Sequence, residues 1–445
     1  MTKVVCIECL NDTFLCAQFE DNDVADCSYC GYERPVVDLS ELASCCSEAL
    51  LASFQYVEQS MAVIHYNYPA LGRSAYEVLS TMLGCENDTL LDDLNEKLLG
   101  LWSDWEDDDP YFSELTDATP EMTSDWYDME RSLQHEARLV NPIASRVLQN
   151  VFGPIEQMLG AGQGSAFVTA GPGQAIQFFQ RARVFSDEGA MVKALKHPER
   201  HLGPPPPGFG SAGRMNAKGV SVFYGATDDQ TAIAEVRPPV GSFVVTATFE
   251  ITQPLRLLNL SDLHRVQPDD QLSYFDPERM RQAQRCAFLK SLKDRLLMPV
   301  MPELVDQGYL ITQAIADFLS THPTLNVDGI YFPSVQIPST EDSVLGHNVI
   351  LFSKACKVSR AESGYEASSV SLWESGDDCW RYRPEMWAGK DEPQQWDSEW
   401  QNRAAWRSPF EPRLALDRNR IRIHQVKGVV YCTEAETVEY HPLPE

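Results

Sequence analysis

Four cysteines near the N-terminus have the spacing of a metal site. Cys6-x-x-Cys9 is followed, after seventeen residues, by Cys27-Ser-Tyr-Cys30-Gly31. Each Cys-x-x-Cys turn can offer two thiolates to one tetrahedral zinc, and the glycine suits the tight turn that aims them. With all four positions filled by protein, the expected site is closed and structural, not catalytic. The alternative, four unliganded thiols in an acidic segment, leaves them open to oxidation. Cys16, Cys45, Cys46 and Cys85 read instead as small hydrophobic core residues.

The second concentration of chemistry is His201–Val240, HLGPPPPGFGSAGRMNAKGVSVFYGATDDQTAIAEVRPPV. A Pro/Gly loop, Gly203–Gly213, delivers Arg214 and Asn216. A strand ends at Tyr224-Gly225, and Asp228 caps a helix that carries Glu235 near its end. A loop arginine, a strand-end tyrosine and a helix glutamate can converge on one small cleft. Arginine suits a pyrophosphate through paired donors and charge. Tyrosine can stack on a flat ring or donate a hydrogen bond. Glutamate can bind a ribose diol or stabilise a developing oxocarbenium ion. The plainer reading makes Arg214 a surface ion-pair partner, Tyr224 a half-buried strand residue and Glu235 a solvated helix residue.

These residues need elements to carry them. Residues 1–36 read as the zinc ribbon. Asp38 with Glu41 marks a helix start, and apolar residues from Leu39 to Val57 recur at helical spacing, so a helix is expected over 39–66. Ser74 with Glu77 marks another, Asp88–Leu101 a third and Arg131–Phe152 a further one. Together these make 38–155 an acidic helical domain. The Gly-rich stretch 156–175 reads as a linker or mobile loop. From 176 the pattern turns to short strands at 176–183, 220–225, 242–251, 255–260, 327–332 and 348–353, interrupted by helices at 228–236, 276–297 and 309–321. The fold class is α+β, with no repeating βαβ rhythm. Residues 361–413 hold six of the nine tryptophans; they read as an acidic insertion that packs its rings against the body. Ile421–Tyr431 reads as a strand by which 414–445 returns to the sheet.

The 445 residues carry a net charge of −29, with 43% hydrophobic residues. Global disorder is excluded, and so is a whole-surface nucleic-acid binder, which needs a basic footprint. The charge is partitioned: 7 basic against 30 acidic residues in 1–175, equal numbers in 176–360, and a net of −6 in 361–445. Residues 101–130 hold eleven acids and no Lys or Arg, which reads as a solvated connection and repels DNA and anionic membranes. No run of about 18 apolar residues suggests a membrane span, and no signal peptide is visible. A cytoplasmic location is expected.

The stretch 175–357 resembles the RES domain family. The residues that carry the likeness are Phe178-Phe179-Gln180-Arg181-Ala182-Arg183, Gly213-Arg214-Met215-Asn216, Phe223-Tyr224-Gly225-Ala226, Ala232-Ile233-Ala234-Glu235 and Gly329-Ile330-Tyr331-Phe332-Pro333-Ser334. Asn348, with the strand after it, suits the family's ending. The helical segment ahead, with His135-Glu136-Ala137-Arg138, resembles the HEPN-like domain found before some RES domains. The likeness implies an ADP-ribosyltransferase-like fold and cleavage of the nicotinamide–ribose bond of NAD. By position, Arg181 and Arg214 would hold the pyrophosphate, with Asn216 beside them. Tyr224 would pack or hydrogen-bond at the nicotinamide side, Glu235 would stabilise the oxocarbenium-like transition state, and Ser334 would orient Glu235 or the phosphates. Arg183 competes with Arg181 for the family position; alternation sets both on one strand face, and Arg181 is preferred.

Three functions are open, of which the likeness implies the first two. The first is an NAD glycohydrolase or phosphorylase, a toxin or defence effector with an antitoxin or regulatory protein as partner. The second is a transferase of ADP-ribose to a protein or nucleic acid, using the same residues. The third is a non-enzymatic protein that holds a partner through its ribbon and acidic helices. RNase chemistry by the helical domain is not expected, because three residues separate Arg131 from His135, where that chemistry uses four to six.

Overall fold

The computed structural model describes residues 3–58, 71–102, 110–156, 166–297, 308–334, 336, 346–359, 367–375, 380–389, 409–430, 433 and 435–438. The chain forms two compact units, Met1–Ala166 with Asp262–Met298, and Phe167–Ser261 with Pro299–Glu445.

The first unit opens with a small three-stranded sheet, β1 (Val4–Cys6), β2 (Val24–Asp26) and β3 (Glu33–Asp38), in the order β1-β3-β2. The Leu39–Ser53 helix follows at once, its first turn held by the Asp38 carboxylate, which accepts from the Ser40 N–H. Leu39, Leu42, Ala43, Cys46, Ala49 and Leu50 are its buried face. This helix stops at Ser53, earlier than its spacing predicts. Phe54–Tyr56 leave it as β4, pair with β6 (Tyr111–Glu114), and share that strand with β5 (Arg73–Ser74). Phe and Tyr favour an extended pleated surface once a partner strand is present. The rest of the expected helix, 59–66, lies outside the described residues.

Ser74 and Glu77 form a reciprocal capping box on the Ala75–Leu83 helix. Asn87 caps Asp88–Leu101, Thr119 caps Pro120–His135 and Asn141 caps Pro142–Phe152. Residues of the cysteine ribbon, Val5, Leu10, Leu15, Phe19 and Val37, belong to the same hydrophobic cluster as Leu42, Leu50, Leu79 and Leu94. Ribbon and helices therefore share one core. The Pro277–Leu297 helix also groups with this unit, its Phe288 ring 5.1 Å from that of Trp126. The sequence places it inside the 176–360 segment; local periodicity does not show which core an amphipathic face will join.

The second unit is built on an eight-stranded sheet in the order β16-β10-β8-β9-β13-β12-β11-β7. Its strands are β7 (Phe167–Ala170), β8 (Phe178–Phe185), β9 (Phe223–Ala226), β10 (Phe243–Ile251), β11 (Leu255–Asn259), β12 (Gly329–Pro333), β13 (His347–Leu351) and β16 (Leu414–Gln425). β11 and β12 are parallel; the other described pairs are antiparallel. β7 pairs with β11 and lies within the stretch expected as a linker. One face of the sheet carries Phe179, Phe223, Val245, Ala247, Phe249, Val349 and Leu351. The opposite face carries Ala182, Ala226 and Val244 against Ala232 of the Asp229–Glu235 helix. Phe223 and Phe249 meet edge to face at 5.1 Å, a geometry worth about 0.5–1.5 kcal/mol beyond burial.

The Trp-rich segment forms a hairpin, β14 (Ala367–Ser375) and β15 (Trp380–Gly389). Two of its tryptophans do not bury as expected: Trp373 is 42% and Trp387 49% exposed, while Leu372 takes the core position. Trp373 instead packs edge to face on Tyr382 and donates its indole N–H to Glu188. Trp396, Trp400 and Trp406 lie outside the described residues. The C-terminal chain rejoins the sheet as β16 on β10, seven residues earlier than the sequence suggests.

Candidate active site

The sheet splits at the residues the sequence singles out. β8 and β9 pair at Gln180↔Ala226, and no further pairing joins them. Residues 181–183 and 223–225 therefore diverge. Gly225 sits at the fork, where a Cβ would meet the Gln180 carbonyl at 2.9 Å and the Phe223 ring at 2.5 Å. Phe179, Arg181 and Arg183 share one face of β8, as alternation requires. The Arg181 guanidinium lies over the Phe223 ring, 5.3 Å from its centroid. Its Nη1 is buried and has no hydrogen-bond partner among the described residues. Burial, and then the charge of Arg183, pull its pKa down to about 9. Arg183 donates from Nη2 to the Gly203 carbonyl at 2.9 Å, while its buried Nε has no partner among the described residues. Burial lowers its pKa too. Two half-buried arginines, each with a buried N–H left unused among the described residues, are costly unless an anion meets them.

The Gly203–Gly213 loop brings Arg214 to the other side of the fork. Gly208 and Gly219 take positive φ (+88° and +90°) and bond each other across the loop at 2.8 Å. Asn216 is the hub. Its Nδ2 donates to the carbonyls of Ser211, Ala217 and Val220, and its Oδ1 accepts from the Tyr224 hydroxyl at 2.7 Å. The sequence reading gives Asn216 a contact with NAD; here its Nδ2 ties the loop and its Oδ1 holds Tyr224 of β9. Tyr224 also accepts from the Met215 N–H at 3.0 Å. Burial pushes its phenol up to about 12, so it stays protonated, with the hydroxyl occupied and the ring left for packing. Gly213 has no room for a side chain, since a Cβ would meet the Tyr224 hydroxyl at 2.5 Å. Arg214 is half-buried, which lowers its pKa, while Tyr309, Glu235 and Tyr224 oppose that shift.

Glu235 ends the Asp229–Glu235 helix. Asp228 caps this helix through the Thr231 N–H at 2.8 Å and accepts the Thr231 hydroxyl at 2.7 Å. Beyond it, Pro238 and Pro239 forbid continuation. Ser334, just after β12, donates its hydroxyl to Glu235 Oε1 at 2.7 Å. Asn348 on β13 donates Nδ2 to the same oxygen at 2.7 Å. Both donors thus fix one carboxylate oxygen, and no hydrogen bond to Oε2 is seen among the described residues. Asn348 was not among the site residues inferred from sequence. An amide in the apolar run Asn348–Phe352, 5% exposed in the fold, is the signal that could have singled it out.

Arg214, Tyr224, Glu235 and Ser334 are thus brought together, with Asn216 supporting them and Asn348 added. Arg181 stands on the strand face opposite Tyr224, coupled to it electrostatically across the fork. The arrangement offers positive charge for an anionic ligand, a protonated aromatic ring, and one fixed carboxylate at the end of a helix.

The four ribbon cysteines also come together. Sγ of Cys6 lies 3.6 Å from Cys9 and 3.5 Å from Cys30, and Cys9 lies 3.9 Å from Cys27. Tetrahedral zinc with bonds of about 2.3 Å needs sulfurs about 3.8 Å apart, so the cluster fits. Backbone N–H groups of Cys6 and Tyr29 point at the Cys27 sulfur, and Gly31 takes φ +71° to close the turn. This set could hold zinc. Among the described residues, no helix is long and apolar enough to cross a membrane.

Residues 182–368 match the family model of the RES domain, and residues 20–144 match that of HEPN/RES N-terminal domain 1. No curated protein and no solved structure matches the chain.

Proposed function

We propose, for a chain that carries a RES domain behind a HEPN/RES N-terminal domain, that it consumes NAD by cleaving the nicotinamide–ribose bond, as a toxin or defence effector. The observation that carries this reading is the Glu235 carboxylate, fixed by Ser334 and Asn348 through one oxygen beside Arg214 and Tyr224. In the cleavage, the C1′–N bond opens heterolytically. Its electron pair leaves with the nicotinamide ring, which becomes neutral, and C1′ of the ribose gains oxocarbenium character. A carboxylate already held in place stabilises that charge without having to reorganise. Arg181 and Arg214 meet the pyrophosphate, and the Tyr224 ring packs at the nicotinamide side. Water or phosphate then adds at C1′ and gives up a proton. In this reading the sheet is ADP-ribosyltransferase-like, the four cysteines bind a structural zinc, the protein works in the cytoplasm, and an antitoxin or regulatory protein restrains it.

Purified protein incubated with NAD should release nicotinamide, with ADP-ribose or its 1″-phosphate identified by mass, and Glu235→Gln should abolish release while leaving the melting temperature unchanged. No release by the wild type sinks the reading. Radiolabel from NAD on a protein or nucleic acid would shift it towards transfer.

A further inference from the structure

We infer that Thr312 and Gln313 are positioning residues for this reaction, holding the loop that presents Arg214; the inference rests on the NAD-cleaving reading. The loop's Pro/Gly sequence supplies few side chains, and just beyond Arg214 the Tyr224 hydroxyl ties Met215 and Asn216 to β9. Within the loop, Asn216 and the Gly208–Gly219 contacts fix residues 208–220 to one another. Two bonds tie the arginine itself to a rigid body. Gln313 Nε2 donates to the Gly213 carbonyl at 2.8 Å, and the Thr312 hydroxyl donates to the Arg214 carbonyl. Both donors sit in the first turn of the Leu310–Thr321 helix, about a hundred residues along the chain. That helix is set in place by its buried face, Leu310, Ile315, Ala316 and Leu319. Consecutive carbonyls clamped from one helix fix the two peptide planes that flank the Arg214 Cα, and so the origin from which its guanidinium reaches.

Arg214 meets the pyrophosphate, whose charge does not change as the C1′–N bond breaks. An interaction equal in ground and transition states changes KM and leaves kcat alone. Thr312→Val and Gln313→Met keep the side-chain volume and remove the donor. Each should raise KM for NAD about five- to tenfold, the equilibrium worth of one buried hydrogen bond, with kcat within about twofold. Thr312→Ser, which keeps the hydroxyl, should restore the wild-type KM. In the protein without NAD, both donor-less variants should speed hydrogen exchange of the Gly213 and Met215 amides and leave exchange in β10 unchanged. Wild-type KM in Thr312→Val, or a Thr312→Ser as impaired as Thr312→Val, overturns the inference. So does unaltered exchange at 213–216. If the wild type does not cleave NAD while the exchange differences appear, the NAD reading has failed and the clamp stands.

Discussion

The two hydrogen bonds on Glu235 set a rate pattern that can be calculated in advance. Ser334 and Asn348 each donate at 2.7 Å to the same oxygen, Oε1. A hydrogen bond to a charged group is worth about 2 kcal/mol net. Ordering a glutamate side chain costs about 1.75 kcal/mol in rotamer entropy. With both donors the held carboxylate is favoured by about 2.25 kcal/mol, so about 98% of molecules have it in place. With one donor the margin falls to about 0.25 kcal/mol and about 60% remain. With neither, the balance reverses by about 1.75 kcal/mol and about 5% remain. Ser334→Ala or Asn348→Leu alone should therefore lower kcat for nicotinamide release less than about twofold, while the double variant loses about twentyfold. The assay is steady-state nicotinamide release at saturating NAD, with melting temperatures to exclude misfolding. A double variant no slower than the product of the single losses would refute the shared-oxygen reasoning. A single variant as slow as the double would show that one donor has a role besides orientation.

Three further outcomes follow from buried groups. Arg181→Met removes a half-buried cation whose buried Nη1 has no partner among the described residues, so stability should hold or rise by about 1–3 kcal/mol, while KM for NAD rises; a less stable variant with wild-type KM would contradict the anion-site assignment. Burial and neighbouring cations, Arg200 foremost, push His201 down to about 4 from 6.5. Between those values the unfolded chain binds the proton and the folded one does not, so His201 makes stability fall as pH drops from 6.5 to 4; His201→Asn should flatten that part of the urea-unfolding profile, and an unchanged slope would exclude His201 as its source. Metal analysis should give about one zinc per chain, and its removal by chelator should melt helix in the first unit as well as the ribbon, because the two share a core; circular dichroism that keeps its helical signal after complete removal would argue against that coupling.

Much of the strand pattern could be read locally. β-branched and apolar runs bounded by turn residues mark β8 to β13, because the signal for a strand is carried within it. The Ser74 capping box and the Asp228 cap were visible for the same reason. Element ends were less so. The Leu39–Ser53 helix ends where Phe54 finds a partner strand, and nothing in residues 39–57 encodes Tyr111–Glu114. β7 was hidden among glycines, since a short edge strand needs only a neighbour willing to pair. The hairpin tryptophans were expected inside because large rings usually bury, but Leu372 holds the core position there.

The sequence alone determined which residue types could do chemistry and in what order: four cysteines in two turns, a loop arginine, a strand-end tyrosine, a helix-end glutamate and a serine after a strand. Spacing suffices for the cysteines because each pair is a local turn. Only the tertiary structure decided how the others meet. The β8–β9 fork strands Arg181 with an unused donor, Asn216 turns inward to tie its own loop, and Asn348 joins Ser334 on one oxygen of Glu235. The two Glu235 contacts join residues about a hundred positions apart. Strand order and a break in pairing set them, and neither is written in any local stretch of chain.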